Sequence, residues 1–136
     1  MKIANFGSTC LIPAPYQRGL KLVRDALQNA GLSIVKELDL FEGLDKHARV
    51  TSRPCRVLYL DSPVHVFEAL VLDRAAAVLL PMHVLVRQDR RKTFVHWINP
   101  VAVFDARLTV SAATIPLYKM QARVSEALQP LAGRLT

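Results

Sequence analysis

The sequence predicts an α+β fold, an antiparallel β-sheet with helices packed on one face, and three observations predict it. Met82 to Gln88 and Thr93 to Ile98 alternate apolar and polar residues on either side of a charged turn, as an antiparallel hairpin requires. Tyr16 to Ala30 and Leu117 to Leu131 instead repeat apolar residues at helical spacing and stop close to Gly31 and Gly133. The chain has 136 residues, 51% hydrophobic and 21% charged, which is enough to bury a core and leaves a single domain over residues 1–136 as the expectation.

The elements follow in order. Lys2 to Ile12 alternates loosely before Pro13 and Pro15 and reads as a first strand. In the first helix Leu20, Val23, Leu27 and Ala30 form the apolar stripe, while Arg18, Lys21 and Arg24 recur every three residues away from it, as a solvated face or a basic ridge would. From Leu32 to Leu40 the apolar residues Leu32, Ile34, Leu38 and Leu40 keep period-two phase, so Glu37 and Asp39 are expected on the other, solvent-facing side. Phe41 to Pro54 reads as an exposed connection, and Arg56 to Leu60 as a strand. Ser62-Pro63 opens a helix, because a serine oxygen accepts an orphan amide bond and proline at the first helical position has no amide to lose. Val66, Phe67, Leu70 and Val71 are its apolar stripe.

Ala75 to Leu80 is apolar throughout and short, as a buried segment would be. In the hairpin, Asp89 opposite Lys92 sets Val84 against Trp97 and Val86 against Val95 on the core side. The reverse side then carries His83, Leu85, Arg87, Phe94, His96 and Ile98, too apolar for open water and too polar for a sealed core, a composition suited to a subunit interface or a cleft wall. Asn99 to Ala113 lacks clear periodicity and reads as a surface loop, and Leu117, Met120, Val124, Leu128 and Leu131 mark the final helix.

Eighteen Lys plus Arg against eleven Asp plus Glu leave a formal charge of +7, but the basic residues are spread from Lys2 to Arg134 rather than concentrated, so nucleic acid is not favoured as a partner. No apolar run reaches the roughly 18 residues of a membrane span, and a cytoplasmic protein with no membrane partner is expected. Cys10 and Cys55 lack the spacing of a redox or zinc motif and read as reduced, structural thiols. No G-x-S-x-G, Walker-type, G-x-G-x-x-G or H-E-x-x-H motif occurs, which removes support for the hydrolases, nucleotide enzymes and zinc proteases that those motifs define.

Arg53-Pro54, a strand, Asp61-Ser62-Pro63, Glu68-Ala69-Leu70 with Asp73, Leu79-Leu80-Pro81-Met82 with Val84 and Val86, and Asn99-Pro100 together resemble the core of the bacterial family known as domain of unknown function 302. The resemblance spans roughly Leu20 to Pro100. It implies a sheet with helices on one side, similar to one half of the TATA-box-binding-protein fold, and a homodimer, with no settled biochemical activity. Many members of the family carry Cys-Asn-Pro where this chain has Asp61-Ser62-Pro63, and Leu-Pro-Cys-Asn where it has Leu80-Pro81-Met82-His83. Any redox or metal chemistry of those cysteines is therefore closed to this chain at those positions.

Three candidate sites follow. Asp61, Ser62, Met82 and His83 could border a small-molecule cleft where a helix start aims amides at an anion, although the preferred reading makes Asp61 and Ser62 a helix cap. Leu85, Phe94, His96 and Ile98 are the candidate homodimer contact, and the leading expectation is a homodimeric binding or accessory module. Arg90, Arg91 and Lys92 at the hairpin tip are the candidate anion-binding group and the best footprint for nucleic acid, with Phe94 the only aromatic close by. The four histidines His47, His65, His83 and His96 do not form a metal-ligand pattern, and no metal or cofactor is expected.

Overall fold

A computed structural model gives the architecture and describes residues 7–40, 53–72, 74, 82–98 and 114–133. The expected connection from Phe41, the apolar stretch Ala75 to Leu80, the loop Asn99 to Ala113, His47, and the motif residues Asp73, Pro81, Asn99 and Pro100 lie outside the described residues. Five strands, β1 (Gly7–Ile12), β2 (Ser33–Asp39), β3 (Cys55–Asp61), β4 (Met82–Asp89) and β5 (Lys92–Ile98), form one antiparallel sheet in the order β1-β5-β4-β3-β2. Helices α1 (Tyr16–Asn29), α2 (Pro63–Leu72) and α3 (Thr114–Leu128) complete the fold, and α3 runs on into a 3-10 turn at Gln129–Leu131. The α+β expectation holds. Among the described residues no helix is long and apolar enough to cross a membrane.

The core lies between one sheet face and the helices. Cys10, Ile12, Leu58, Leu60, Val84, Val86, Val95 and Trp97 point from the sheet toward Leu20, Val23 and Leu27 of α1 and Met120, Val124 and Leu128 of α3. Val84 pairs with Trp97, Val86 with Val95 and Asp89 with Lys92, the register that the alternation and the two-residue turn predict. Trp97 Nε1 donates to Ser125 Oγ at 3.0 Å, which satisfies the indole where it enters the core. α1 ends as its Gly31 predicts: with φ of 82° at Gly31, the amides of Gly31 and Leu32 reach the carbonyls of Gln28 and Leu27, both at 3.0 Å, and Leu32 packs in the core beside Leu27.

Two expectations change. Ile34 pairs with Leu60 but Lys36 with Tyr59, so Val35 is an extra residue, a bulge that reverses the facing of all that follows. Glu37 and Asp39 therefore share the helix-facing side with Leu58, and Leu38 turns to the opposite face; the two acids do not front solvent on the reverse side. Glu37 accepts from Arg24 Nε of α1 at 3.0 Å and from Arg56 Nη1 of β3 at 3.3 Å. This ties Arg24 down, so of the three residues that a solvated face or a basic ridge would present, Arg18 and Lys21 are exposed and Arg24 is half-buried.

The second change concerns α2. It makes its main contacts with α3 rather than with the sheet. Half of its expected stripe is open to solvent, with Phe67 69% and Val71 67% exposed, and Val64 at 65% extends the same face, whereas Val66 and Leu70 are half-buried. The helix starts at Pro63 as expected, with the Ser62 carbonyl accepting the Val66 amide at 2.9 Å, but the buried Ser62 Oγ, expected to take a backbone amide, shares a 2.7 Å hydrogen bond with His65 Nδ1.

Candidate functional site

The reverse face of the sheet is built by alternation. Thr9 and Leu11 of β1, Phe94 and His96 of β5, Leu85 and Arg87 of β4 and Tyr59 of β3 all occupy positions opposite in phase to the core residues. Cross-strand pairing then sets Leu11 beside Phe94, Phe94 beside Arg87, and His96 beside both Thr9 and Leu85.

Arg87 is held by two contacts. Its guanidinium carbon sits 4.5 Å from the centre of the Phe94 ring, and its Nε donates to His96 Nε2 at 2.9 Å. Accepting that bond requires an unprotonated Nε2, so the His96 proton is on Nδ1, which donates to Thr9 Oγ1 at 2.9 Å. Burial, and then the Arg87 charge, push the His96 pKa down, which keeps the ring neutral and the chain Arg87, His96, Thr9 intact. The homodimer expectation names Phe94 and His96, and the alternation sets Arg87 on their face, but the bond between Arg87 and His96 is not part of it. Arg87 and His96 are nine residues apart in sequence, and only the hairpin register, read together with side-chain length, could have joined them.

The same face ends in an open pocket of about 620 Å³ beneath the β4–β5 turn. Leu11 and Phe94 supply an apolar wall; Arg90, Arg91 and Lys92 from the turn, together with Arg53 and Asp89, supply the charged walls. Arg53 enters because Pro54 O accepts the Gln88 amide at 3.0 Å, extending the β3–β4 ladder toward the turn, and its Nη1 then bonds Asp89 Oδ1 at 2.7 Å. The turn is held from within: Gln88 Nε2 donates to Arg90 O at 2.9 Å. Arg90 has φ of 57°, the left-handed region, where a residue with a Cβ is disfavoured relative to glycine.

The structure thus brings the expected anion-binding residues Arg90, Arg91 and Lys92 into one pocket and adds Arg53, Leu11 and Phe94. The expected cleft residues divide instead. Asp61 and His83 lie on the reverse face, where the His83 ring meets Tyr59 with centroids 6.0 Å apart. Met82 packs against the core opposite Leu60, and Ser62 is buried against His65. The four do not line a common wall, because adjacent residues in a strand point to opposite faces. Of the expected dimer residues, Leu85, Phe94 and His96 are half-buried, and Ile98 is 39% exposed. Among the described residues no three His, Cys, Asp or Glu side chains are placed to hold a metal ion.

The model of one family, described as domain of unknown function DUF302, matches residues 9–131. The chain belongs to the DUF302 family. Among solved structures it is similar to that titled "Crystal structure of uncharacterized conserved protein DUF302 from Bacillus stearothermophilus", with a TM-score of 0.81 and 17% sequence identity over 92% of this chain and 97% of that one. At that identity the likeness shows the shared DUF302 fold. No curated protein matches the chain. No activity is established for the family or for this neighbour, so what a DUF302 chain with these residues does must be argued from the pocket itself.

Proposed function

We propose that the chain is a binding module that holds a small anionic ligand in the pocket beneath the β4–β5 turn. The observation that carries this reading is the charge of the walls: Arg53, Arg90, Arg91 and Lys92 face one carboxylate, Asp89. Open, water-filled surroundings screen each cation, but several converging on one concavity raise the local concentration of anions. Arginine offers a planar fork of donors suited to phosphate and carboxylate oxygens, and Lys92 adds a mobile point charge.

The test is titration of the chain with inorganic phosphate at low salt, followed by calorimetry and by the thermal midpoint, since a ligand that binds only the folded state raises that midpoint. Binding is expected to weaken with added sodium chloride and to fall about tenfold in the double variant Arg91→Ala, Lys92→Ala. Undetectable binding at millimolar phosphate overturns the reading.

Self-association is a second reading, favoured by the apolar face of α2, where Val64, Phe67 and Val71 stand in water at helical spacing. It keeps the expected homodimer but adds a second contact surface to the one expected at Leu85, Phe94, His96 and Ile98. Sedimentation at micromolar concentration tests it: Phe67→Glu dissociates a dimer built on α2, Ile98→Glu one built on the hairpin face, and a strict monomer ends the reading.

A further inference from the structure

We infer that the ligand of this pocket is a small phosphate monoester carrying a flat apolar body, of the aryl phosphate class; this rests on the anion reading above and narrows it. Three features lead there. The first is size, because about 620 Å³ is far more than a bare phosphate fills and falls within the range of pockets that hold whole small molecules.

The second is the count of charges. Arg53 is already engaged by Asp89, which leaves Arg90, Arg91 and Lys92 crowded at one turn. A monocarboxylate compensates one of them. A phosphate monoester, with a charge of about −1.5 to −2 at neutral pH and three acceptor oxygens, compensates two and accepts from two arginine forks. The backbone supports the same conclusion, since Arg90 is the only non-glycine residue with positive φ among those described, and glycine would adopt that conformation at less cost. A guanidinium stands at the turn position least suited to a side chain, and it stands in the pocket wall.

The third feature is the apolar wall. Leu11 and Phe94 are cross-strand partners, so their side chains stand side by side and present a continuous surface next to the cations. Arg87 lies over the Phe94 ring and fixes it without itself lining the pocket. A flat ring laid on this wall would place its phosphate among Arg90, Arg91 and Lys92.

Calorimetry on the full chain with inorganic phosphate, phenyl phosphate, benzoate and a short mixed-sequence single-stranded DNA tests the inference. Phenyl phosphate is expected to bind roughly tenfold or more tightly than either phosphate or benzoate, the effect of burying a ring and of the second charge. Equal affinity for phosphate and phenyl phosphate overturns the apolar-body inference, and equal affinity for benzoate and phenyl phosphate overturns the monoester inference, while both leave the anion pocket standing. Failure of all four probes removes the pocket reading itself. DNA that binds more tightly than phenyl phosphate overturns the small-molecule ligand in favour of nucleic acid. Two variants separate binding from folding. Arg90→Gly is expected to keep or raise the thermal midpoint while weakening phenyl phosphate about fivefold or more, and Phe94→Leu to weaken phenyl phosphate but leave inorganic phosphate unchanged. If Arg90→Gly lowers the midpoint and leaves the affinity intact, Arg90 serves the turn and the inference fails.

Discussion

Replacing Gly19 with alanine should destabilise the protein, although helix propensity alone says the opposite. An alanine in mid-helix is favoured over glycine by about 1 kcal/mol. In α1, however, the new Cβ would meet Thr93 of β5, 2.7 Å from its Cβ and 2.8 Å from its Cγ2, with Oγ1 closer still. Thr93 cannot simply turn away. It is fully buried, and its Oγ1 donates to Ala14 O at 2.9 Å, so rotation leaves that carbonyl without its donor. Overpacking costs about 1–3 kcal/mol and loss of the hydrogen bond about 1 more, against which propensity returns about 1, so a net loss of about 2 kcal/mol is expected. For a chain of this size that lowers the thermal midpoint by roughly 6–10 °C. Urea unfolding followed through Trp97, the single tryptophan, measures it directly. A cycle with Thr93→Ala isolates the contact: the threonine deletion should cost about 1 kcal/mol less in the Gly19→Ala background than in the parent. A Gly19→Ala protein as stable as the parent, with no coupling to position 93, would show that α1 does not approach β5 this closely. Thr93 lies between Lys92 and Phe94, so the same contact anchors the strand that carries the pocket.

Other expectations concern charge and access. Arg24 first, and then Arg56, hold the Glu37 carboxyl below its ordinary 4.5, so its contribution is present above that value and is lost as pH falls through the lowered folded one. Glu37→Gln should cost about 0.5–1 kcal/mol at neutral pH, since the pair is partly exposed, and should flatten the acid limb of the stability curve; an unchanged limb in urea titrations at several pH values counts against the Arg24–Glu37–Arg56 network. Burial pushes His65 below its ordinary 6.5, with Arg123 adding to the effect, and burial followed by Arg87 does the same to His96. Both rings are neutral in the fold, so their contribution is complete above pH 6.5 and is lost as pH falls below it toward the lowered folded values. Proton NMR titration should find both rings titrating below 6.5, and a normal or raised midpoint for His96 contradicts its bond from Arg87. Burial raises the thiol pKa of Cys10 and of Cys55, and both thiols should resist iodoacetamide in the native protein yet react in urea. Rapid native labelling of either refutes its burial.

What the sequence determined by itself was local. Alternation across a two-residue turn specified the β4–β5 pairing residue by residue, because period two and turn length leave one register that keeps Val84, Val86, Val95 and Trp97 on a single face. Helical spacing and Gly31 defined α1 and its end, and Ser62-Pro63 marked the start of α2. Clustering of Arg90, Arg91 and Lys92 needed only chain adjacency. The tertiary structure decided whatever depended on a distant partner. The bulge at Val35 answers to β3, and it carries Glu37 across the sheet to two arginines that the strand's own pattern does not indicate. The pocket wall joins Leu11, Arg53 and Phe94 from three strand regions, and Arg87 meets His96 only when both strands lie flat side by side. The open face of α2 has the same origin: its periodicity records which residues are apolar, but the element it packs against, here α3, decides which of them water still reaches. Propensity and period act over a few neighbouring residues, whereas burial and pairing are properties of contacts between segments, and those exist only once the chain has folded.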